Sequence, residues 1–168
     1  DCNILDLGCG ELLYAKKLAN KITGEYHCVD TDEECELLVN KFNNHSSKKI
    51  TFTTDYKNIK GVSNLTVLCT EVIEHIGITE AFEIINNIIE NNDVNRIIIS
   101  TPNKDFNVNY QMDGEMRRDD HIVELTKSQF QDVVFSNINM FGKYFMDGIG
   151  DTYKDIQPTS VVTIQKIN

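Results

Sequence analysis

Asn3-Ile4-Leu5-Asp6-Leu7-Gly8-Cys9-Gly10-Glu11 decides the fold: a short apolar run (3–7) breaks into two glycines and then enters a helical pattern over 11–21. An apolar run of that length reads as a buried strand. Glycines directly after it allow a tight turn and a close approach of backbone to a ligand. The alternation continues down the chain. Strands are expected at 25–29, 50–53, 65–69 and 96–100, with helices at 32–43 and 79–91 between them, the rhythm of a parallel sheet with crossover helices. Thr79 is a candidate N-cap for an apolar stripe through Phe82 and Ile85, and Thr101-Pro102 should stop the strand before it.

After Pro102 the rhythm breaks. The segment 103–124 is polar, has no clear period and exceeds the usual connection inside a compact domain, which marks it as a functional loop. A helix over 127–135 and strands over 140–146 and 160–167 complete a seven-stranded, mostly parallel α/β architecture flanked by helices. The chain opens directly on its first strand, with nothing before it to cover the sheet edge. The sequence is therefore expected to be trimmed at its N-terminus.

A length of 168 residues with 40% apolar content suits one domain spanning 1–168. No apolar stretch approaches the roughly 20 residues of a membrane span. Five cysteines, odd in number and without a CxxC pair, point to reduced thiols and a cytoplasmic setting. A net charge of −10 argues against coating nucleic acid with the whole surface, so any RNA contact is local or helped by a partner.

Asp30 ends the second apolar run, 20 residues after Gly10. A carboxylate there can accept both hydroxyls of a ribose, the geometry of dinucleotide-binding folds. The plain alternative is a tight turn beside a surface aspartate. A nicotinamide fingerprint fits less well, because Leu13 stands where the third glycine of GxGxxG belongs. Asp55, in Thr53-Thr54-Asp55-Tyr56, is a weaker candidate for an adenine amino group, with an exposed loop aspartate as the alternative.

The fourth strand ends in Glu71-Val72-Ile73-Glu74-His75. On a helical turn the i, i+3, i+4 spacing puts Glu71, Glu74 and His75 on one face, where two carboxylates and an imidazole can share a divalent ion. In an isolated ExxEH the acids more often just suit a helix start. Position favours the metal reading, since open α/β sheets place ligands at the carboxyl ends of their strands. HExxH and HxxEH are both absent, so metal-assisted peptide hydrolysis is a poor fit. His121, in Arg117-Arg118-Asp119-Asp120-His121-Ile122-Val123-Glu124-Leu125-Thr126, is a fourth ligand candidate or an ordinary loop histidine.

DLGCG resembles motif I of class I methyltransferases. The order DLGCGE, EVIEH, STPNKDFN, RRDDHIVELTKSQF closely resembles the HUA ENHANCER family of small-RNA 2′-O-methyltransferases and its bacterial RNA-repair relatives, over nearly the whole chain. The resemblance implies a Rossmann-like class I methyltransferase fold binding S-adenosylmethionine through Asp6, Gly8, Gly10, Asp30, Asp55 and Thr70. It implies Glu71, Glu74, His75 and His121 as ligands of Mg2+ or Mn2+, with His75 and His121 also catalytic. It implies a substrate groove along Pro102, Asn103, Phe106 and Asn107, with Arg117 and Arg118 as phosphate contacts. The substrate it implies is an RNA 3′ end, in RNA silencing or RNA repair, with an RNA-binding or repair partner. Leu12 stands where glycine is expected, and Leu125 where relatives carry tryptophan.

Four protein ligands leave about two positions open on a six-coordinate ion, which the adjacent hydroxyls of a terminal ribose can fill. The cation then makes the 2′-hydroxyl more acidic without a dedicated lysine base, and mixed carboxylate–imidazole ligation favours manganese. Two rival readings stay open. One is a metal-free methyltransferase of small molecules or proteins, separated by metal dependence. The other is a non-catalytic binding subunit, separated by S-adenosylhomocysteine binding.

Overall fold

The computed structural model describes residues 2–112, 115–140 and 142–167. The seven strands form one sheet in the order β3-β2-β1-β4-β5-β7-β6: β1 (Asn3–Leu7), β2 (Tyr26–Val29), β3 (Thr51–Thr53), β4 (Leu65–Thr70), β5 (Val94–Pro102), β6 (Gly142–Ile149) and β7 (Thr159–Lys166). Helices α1 (Leu13–Leu18), α2 (Cys35–His45), α3 (Ile73–Ile76), α4 (Ile78–Asn91) and α5 (Lys127–Asn137) connect them. The chain divides into two compact units, residues up to Cys69 with Asn87–Ile97, and Thr70–Asn86 with residues from Ile98 onward.

In the first unit β1 pairs in parallel with both β2 and β4, and β2 with β3. With β1 flanked on both sides its backbone is paired along both edges, and Leu5 and Leu7 are buried, as are Tyr26, Cys28, Val67 and Cys69 on the neighbouring strands. Strands buried on both faces read as continuous apolar runs, which is why β1 is found at its expected bounds. Chain order reverses at β1, and α/β folds of this kind bind ligands beyond the carboxyl ends of the strands at such a point.

In the second unit β6 and β7 run antiparallel, and α5 packs on β7. Phe130 and Val134, one turn apart on α5, are fully buried, each contributing roughly 1.5–3 kcal/mol of apolar burial. Thr126 caps this helix in a reciprocal box: its hydroxyl accepts from Gln129 N at 3.2 Å, and Gln129 Oε1 accepts from Thr126 N at 3.0 Å.

Several boundaries differ from expectation, and three of them bear on the site. Helix α1 starts at Leu13 rather than residue 11, because Gly10 (φ +43°) and Leu12 (φ +62°) hold the chain in left-handed backbone. Thr79 lies inside the first turn of α4 instead of capping it, since Gly77 (φ +86°) already separates α3 from α4. Strand β5 runs through Thr101 to Pro102, whose missing N–H is tolerated at a strand's last residue. The expected strand 140–146 is found as β6 from Gly142; Phe141 within it lies outside the described residues. Among the described residues no helix is long and apolar enough to cross a membrane, and all five cysteines are free thiols.

Candidate functional site

In the first unit the turn after β1 is held by backbone. Gly8 (φ +72°) and Gly10 take conformations that L side chains rarely adopt, and a Cβ on Gly10 would meet nothing within 4 Å, so the turn opens onto free space. Gly10 N donates to Asp30 Oδ2 at 2.8 Å and Asp32 N to Asp30 Oδ1 at 3.0 Å. The carboxylate is thereby oriented with lone pairs left for two hydroxyls. Asp6 is 1% exposed at the heart of β1; Tyr26 donates to its Oδ2 at 2.7 Å, while Oδ1 has no partner. Burial, opposed by the Tyr26 hydrogen bond, pushes its carboxyl up to about 6. The residues fit a ribose-bearing, cationic ligand: an open cradle, an oriented carboxylate and an orphan buried oxygen. Asp55 is exposed, and its Oδ1 caps the following 3-10 turn by accepting from Lys57 N at 2.9 Å.

Leu12, standing where glycine is expected, adopts glycine's left-handed conformation and is fully buried. Left-handed backbone costs an L residue about 1–2 kcal/mol, and burying leucine returns roughly 1.5–3. Packing outweighs strain here.

In the second unit Glu74, His75 and His121 form the acid–histidine group: one ligand atom from each lies within 4.8 Å of the others. Ile122 N donates to Glu74 O at 2.7 Å, so backbone ties the 121–123 segment to α3. His75 Nδ1 contacts Asp120 O at 3.3 Å and His121 Nδ1 pairs with Glu124 Oε1 at 2.6 Å. An oxygen at each Nδ1 suits the tautomer with the proton there, which would leave each Nε2 to a ligand. The two rings meet edge to face at 5.0 Å.

Glu74 is 1% exposed; Thr101 Oγ1 donates to its Oε2 at 3.1 Å, and Oε1 has no partner. Burial, with Glu71 and Glu124 adding repulsion, pushes this carboxyl up to about 7. An unpartnered buried carboxylate oxygen beside two imidazole nitrogens fits a divalent cation.

Glu71 is not drawn into this group. The expected helical face through Glu71, Glu74 and His75 is not formed, because α3 begins at Ile73 and Glu71 precedes it in left-handed backbone (φ +56°). Ser100 Oγ donates to its Oε1 at 2.9 Å, and Glu71 N to Ser100 O at 3.0 Å. Thr70 closes β4 just before it.

The loop residues expected to line a substrate groove are corrected inward. Pro102, Asn103, Phe106 and Asn107 are all buried, the two asparagines 4% and 3% exposed. Asn103 Nδ2 donates to Gln157 O at 3.0 Å and its Oδ1 accepts from Asp105 N at 3.1 Å. Asn107 Nδ2 donates to Glu115 O and Glu124 Oε2, and its Oδ1 accepts from Arg117 Nε. Both amides brace the loop from within. Phe106 edges an open cavity of about 510 Å³ with Val108, Tyr110 and Tyr153, and Asn103 edges one of about 150 Å³ with Asp105 and Lys127.

Arg117 is likewise tied inward: its guanidinium donates to Pro158 O, Asn103 O and Asn107 Oδ1. Arg118 is exposed and grips Asp120 with two bonds at 2.8 and 2.9 Å, holding that carboxyl below its usual range. Leu125, at the position expected for tryptophan, is 8% exposed and bridges to Asn103 by backbone.

Glu124, which sequence reasoning does not single out, lies directly against the group. It is 5% exposed, accepts from Arg117 N at 2.7 Å and from Asn107, and fixes the His121 ring. Its signal is the His-x-x-Glu spacing of His121 and Glu124.

No family model matches the chain. It is similar to a small RNA 2′-O-methyltransferase of Tetrahymena thermophila, 32% identical over 99 residues, 57% of this chain and 22% of that protein. A chain of the Pnkp1/Rnl/Hen1 RNA repair complex matches with TM-score 0.80 and 25% identity, over 99% of this chain and 38% of that one. The small RNA methyltransferase HEN1 matches in fold with TM-score 0.79 and 19% identity, over 98% of this chain and 23% of that one. The chain thus has the class I methyltransferase fold. Within that fold its likenesses include Hen1-type RNA methyltransferases. It spans 22% of the curated relative's length.

Proposed function

We propose that this chain, acting as one catalytic domain, methylates the 2′-hydroxyl of the 3′-terminal nucleotide of RNA, using S-adenosylmethionine and a divalent cation, Mg2+ or Mn2+. The observation that carries the reading is the Glu74, His75 and His121 group, in which a buried carboxylate oxygen has no partner and one ligand atom from each residue lies within 4.8 Å of the others. A metal-free methyltransferase has no need of such a demand for positive charge.

Each residue has a separate task. Asp30 takes the ribose hydroxyls of the cofactor, and the Gly8–Gly10 turn admits its methionine end. Asp6 Oδ1, buried and unpartnered, suits the positive charge there. Asp55 is offered to the adenine amino group and Thr70 to the cofactor's side of β4. Glu74, His75 and His121 would hold the cation, with Glu71 reaching it only if its contact with Ser100 is exchanged. When bound, the cation supplies acidity to the acceptor hydroxyl and orients the terminal diol. Glu124 occupies His121 Nδ1, so His121 has no free nitrogen for a proton once Nε2 is a ligand. His75, its side chain 35% exposed and its Nδ1 contact longer, could take the hydroxyl proton only with one ring nitrogen free of both the cation and a proton. The remainder is alignment of oxygen with sulfonium methyl, which positioning provides.

The chain's acidity and the commitment of Arg117 leave little basic surface for the RNA body, which points to an RNA-binding or RNA-repair partner. The test is transfer of labelled methyl from S-adenosylmethionine to a short RNA with a free 3′ end. Transfer should vanish in excess chelator and return with Mn2+; undiminished transfer in chelator overturns the metal-assisted reading.

A further inference from the structure

The glycine turn has a second lining, made of sulfur. Cys9 lies within the turn and Cys35 opens α2, each 5% exposed. One ligand atom each from Cys9, Asp30 and Cys35 lies within 4.8 Å of the other two. Cys35 Sγ donates to Gly10 O at 3.4 Å, and Gly10 N donates to Asp30 Oδ2 at 2.8 Å, so the donors are gathered around one residue's backbone. Nothing in methyl transfer requires a thiol there.

We propose that Cys9, Cys35 and Asp30 form a binding site for a thiophilic divalent cation, Zn2+ or Cd2+, whose occupancy competes with the nucleoside cofactor. Two sulfurs and one carboxylate suit zinc-like ions, whereas Mg2+ and Mn2+ favour oxygen and leave this site alone. With Zn–S near 2.3 Å, ligand atoms of a tetrahedral site stand about 3.6–3.8 Å apart, so closing the cluster asks for shifts of about 1 Å at most. The fourth position stays open to water.

Binding forms two metal–sulfur bonds and one metal–oxygen bond, and two thiol protons leave to water; nothing is oxidised or reduced. Burial pushes the Cys35 thiol up to about 12, and the hydrogen bond with Cys28, together with burial, pushes Cys9 up as well. Both are therefore protonated and unreactive toward oxidants when the site is empty. Asp30 couples the two ligands, since a carboxylate bound to the cation no longer accepts ribose hydroxyls. That competition rests on the cofactor reading above; metal binding itself does not.

The test is titration of the reduced full chain with Cd2+, reading thiolate-to-cadmium absorption in the ultraviolet. One equivalent should saturate the band, Cys9→Ser and Cys35→Ser should each weaken binding at least about tenfold, and Cys2→Ser should not. X-ray absorption of the zinc-loaded unmutated chain should show two sulfur neighbours at about 2.3 Å, a readout that needs no variant to fold. No band, no sulfur neighbours, or a band unchanged in Cys9→Ser and Cys35→Ser overturns the site. One equivalent of Cd2+ should also weaken S-adenosylhomocysteine binding in the unmutated chain but not in Cys35→Ser. An unchanged affinity with the band present overturns the competition alone.

Discussion

The glycine turn after β1 and the acid–histidine group after β4 both lie at the carboxyl end of a strand, yet they are built by opposite means. The turn is backbone-made: Gly10 N and Asp32 N satisfy Asp30 before any ligand arrives. The group is side-chain-made, joining α3 to a loop 45 residues away, and leaves Glu74 Oε1 buried without a partner. Apart from the unpartnered Asp6 Oδ1, the turn waits for a shape. The unsatisfied group holds a standing demand for charge, so the two should fail differently when altered.

The largest expected effect is in the unsatisfied group. Glu74→Ala or His121→Ala should lower methyl transfer by about 1000-fold or more, while S-adenosylhomocysteine affinity by calorimetry stays within about threefold. Equal losses of turnover and cofactor affinity would erase the distinction. Asp30→Ala should do the reverse in the turn, weakening cofactor binding by about 2–4 kcal/mol through lost charge-assisted hydrogen bonds. Manganese binding by that variant should be unaltered.

Glu124→Gln sharpens the comparison more gently. Glu124 acts through His121, so Mn2+ affinity should fall about 10–100-fold with cofactor affinity retained. Manganese titration separates this from simple unfolding, because saturating Mn2+ should restore most of the turnover.

A smaller effect follows from pH. Glu74 is raised by burial to about 7, above its ordinary carboxyl value of 4.5. In the metal-free protein its contribution to stability is full below 4.5 and is lost as pH rises through about 7. A cation replaces the proton, so Mn2+ should raise the melting temperature more at about pH 8 than at about pH 5.5. In Glu74→Gln that difference should largely disappear.

Legibility follows the same divide. Strand β1, its glycines and Asp30 are readable because a buried parallel strand and the turn after it are written in consecutive residues. Glu74, His75 and His121 can be named from motif order, but not Glu71's exclusion, which depends on where α3 starts and on Ser100. The 103–124 loop is least readable. Asparagines and arginines are usually exposed, so a polar stretch looks like a surface, whereas Asn103, Asn107, Arg117 and Glu124 bond to one another's neighbours in the interior. Leu12 shows the converse: a residue wrong for its backbone is retained because its side chain fills the core.

The central claim is that the cation site recognises the diol of a terminal nucleotide. Its most direct test is labelled methyl transfer, with Mn2+ present, to matched RNA oligonucleotides ending in a 2′,3′-diol, a 3′-phosphate, a 3′-deoxy sugar or a 2′-deoxy sugar. The account predicts strong labelling of the diol on its 2′-oxygen, little of the 3′-phosphate and 3′-deoxy ends, and none of the 2′-deoxy end. Equal labelling of the diol, 3′-phosphate and 3′-deoxy ends, or label recovered on a base, would contradict it.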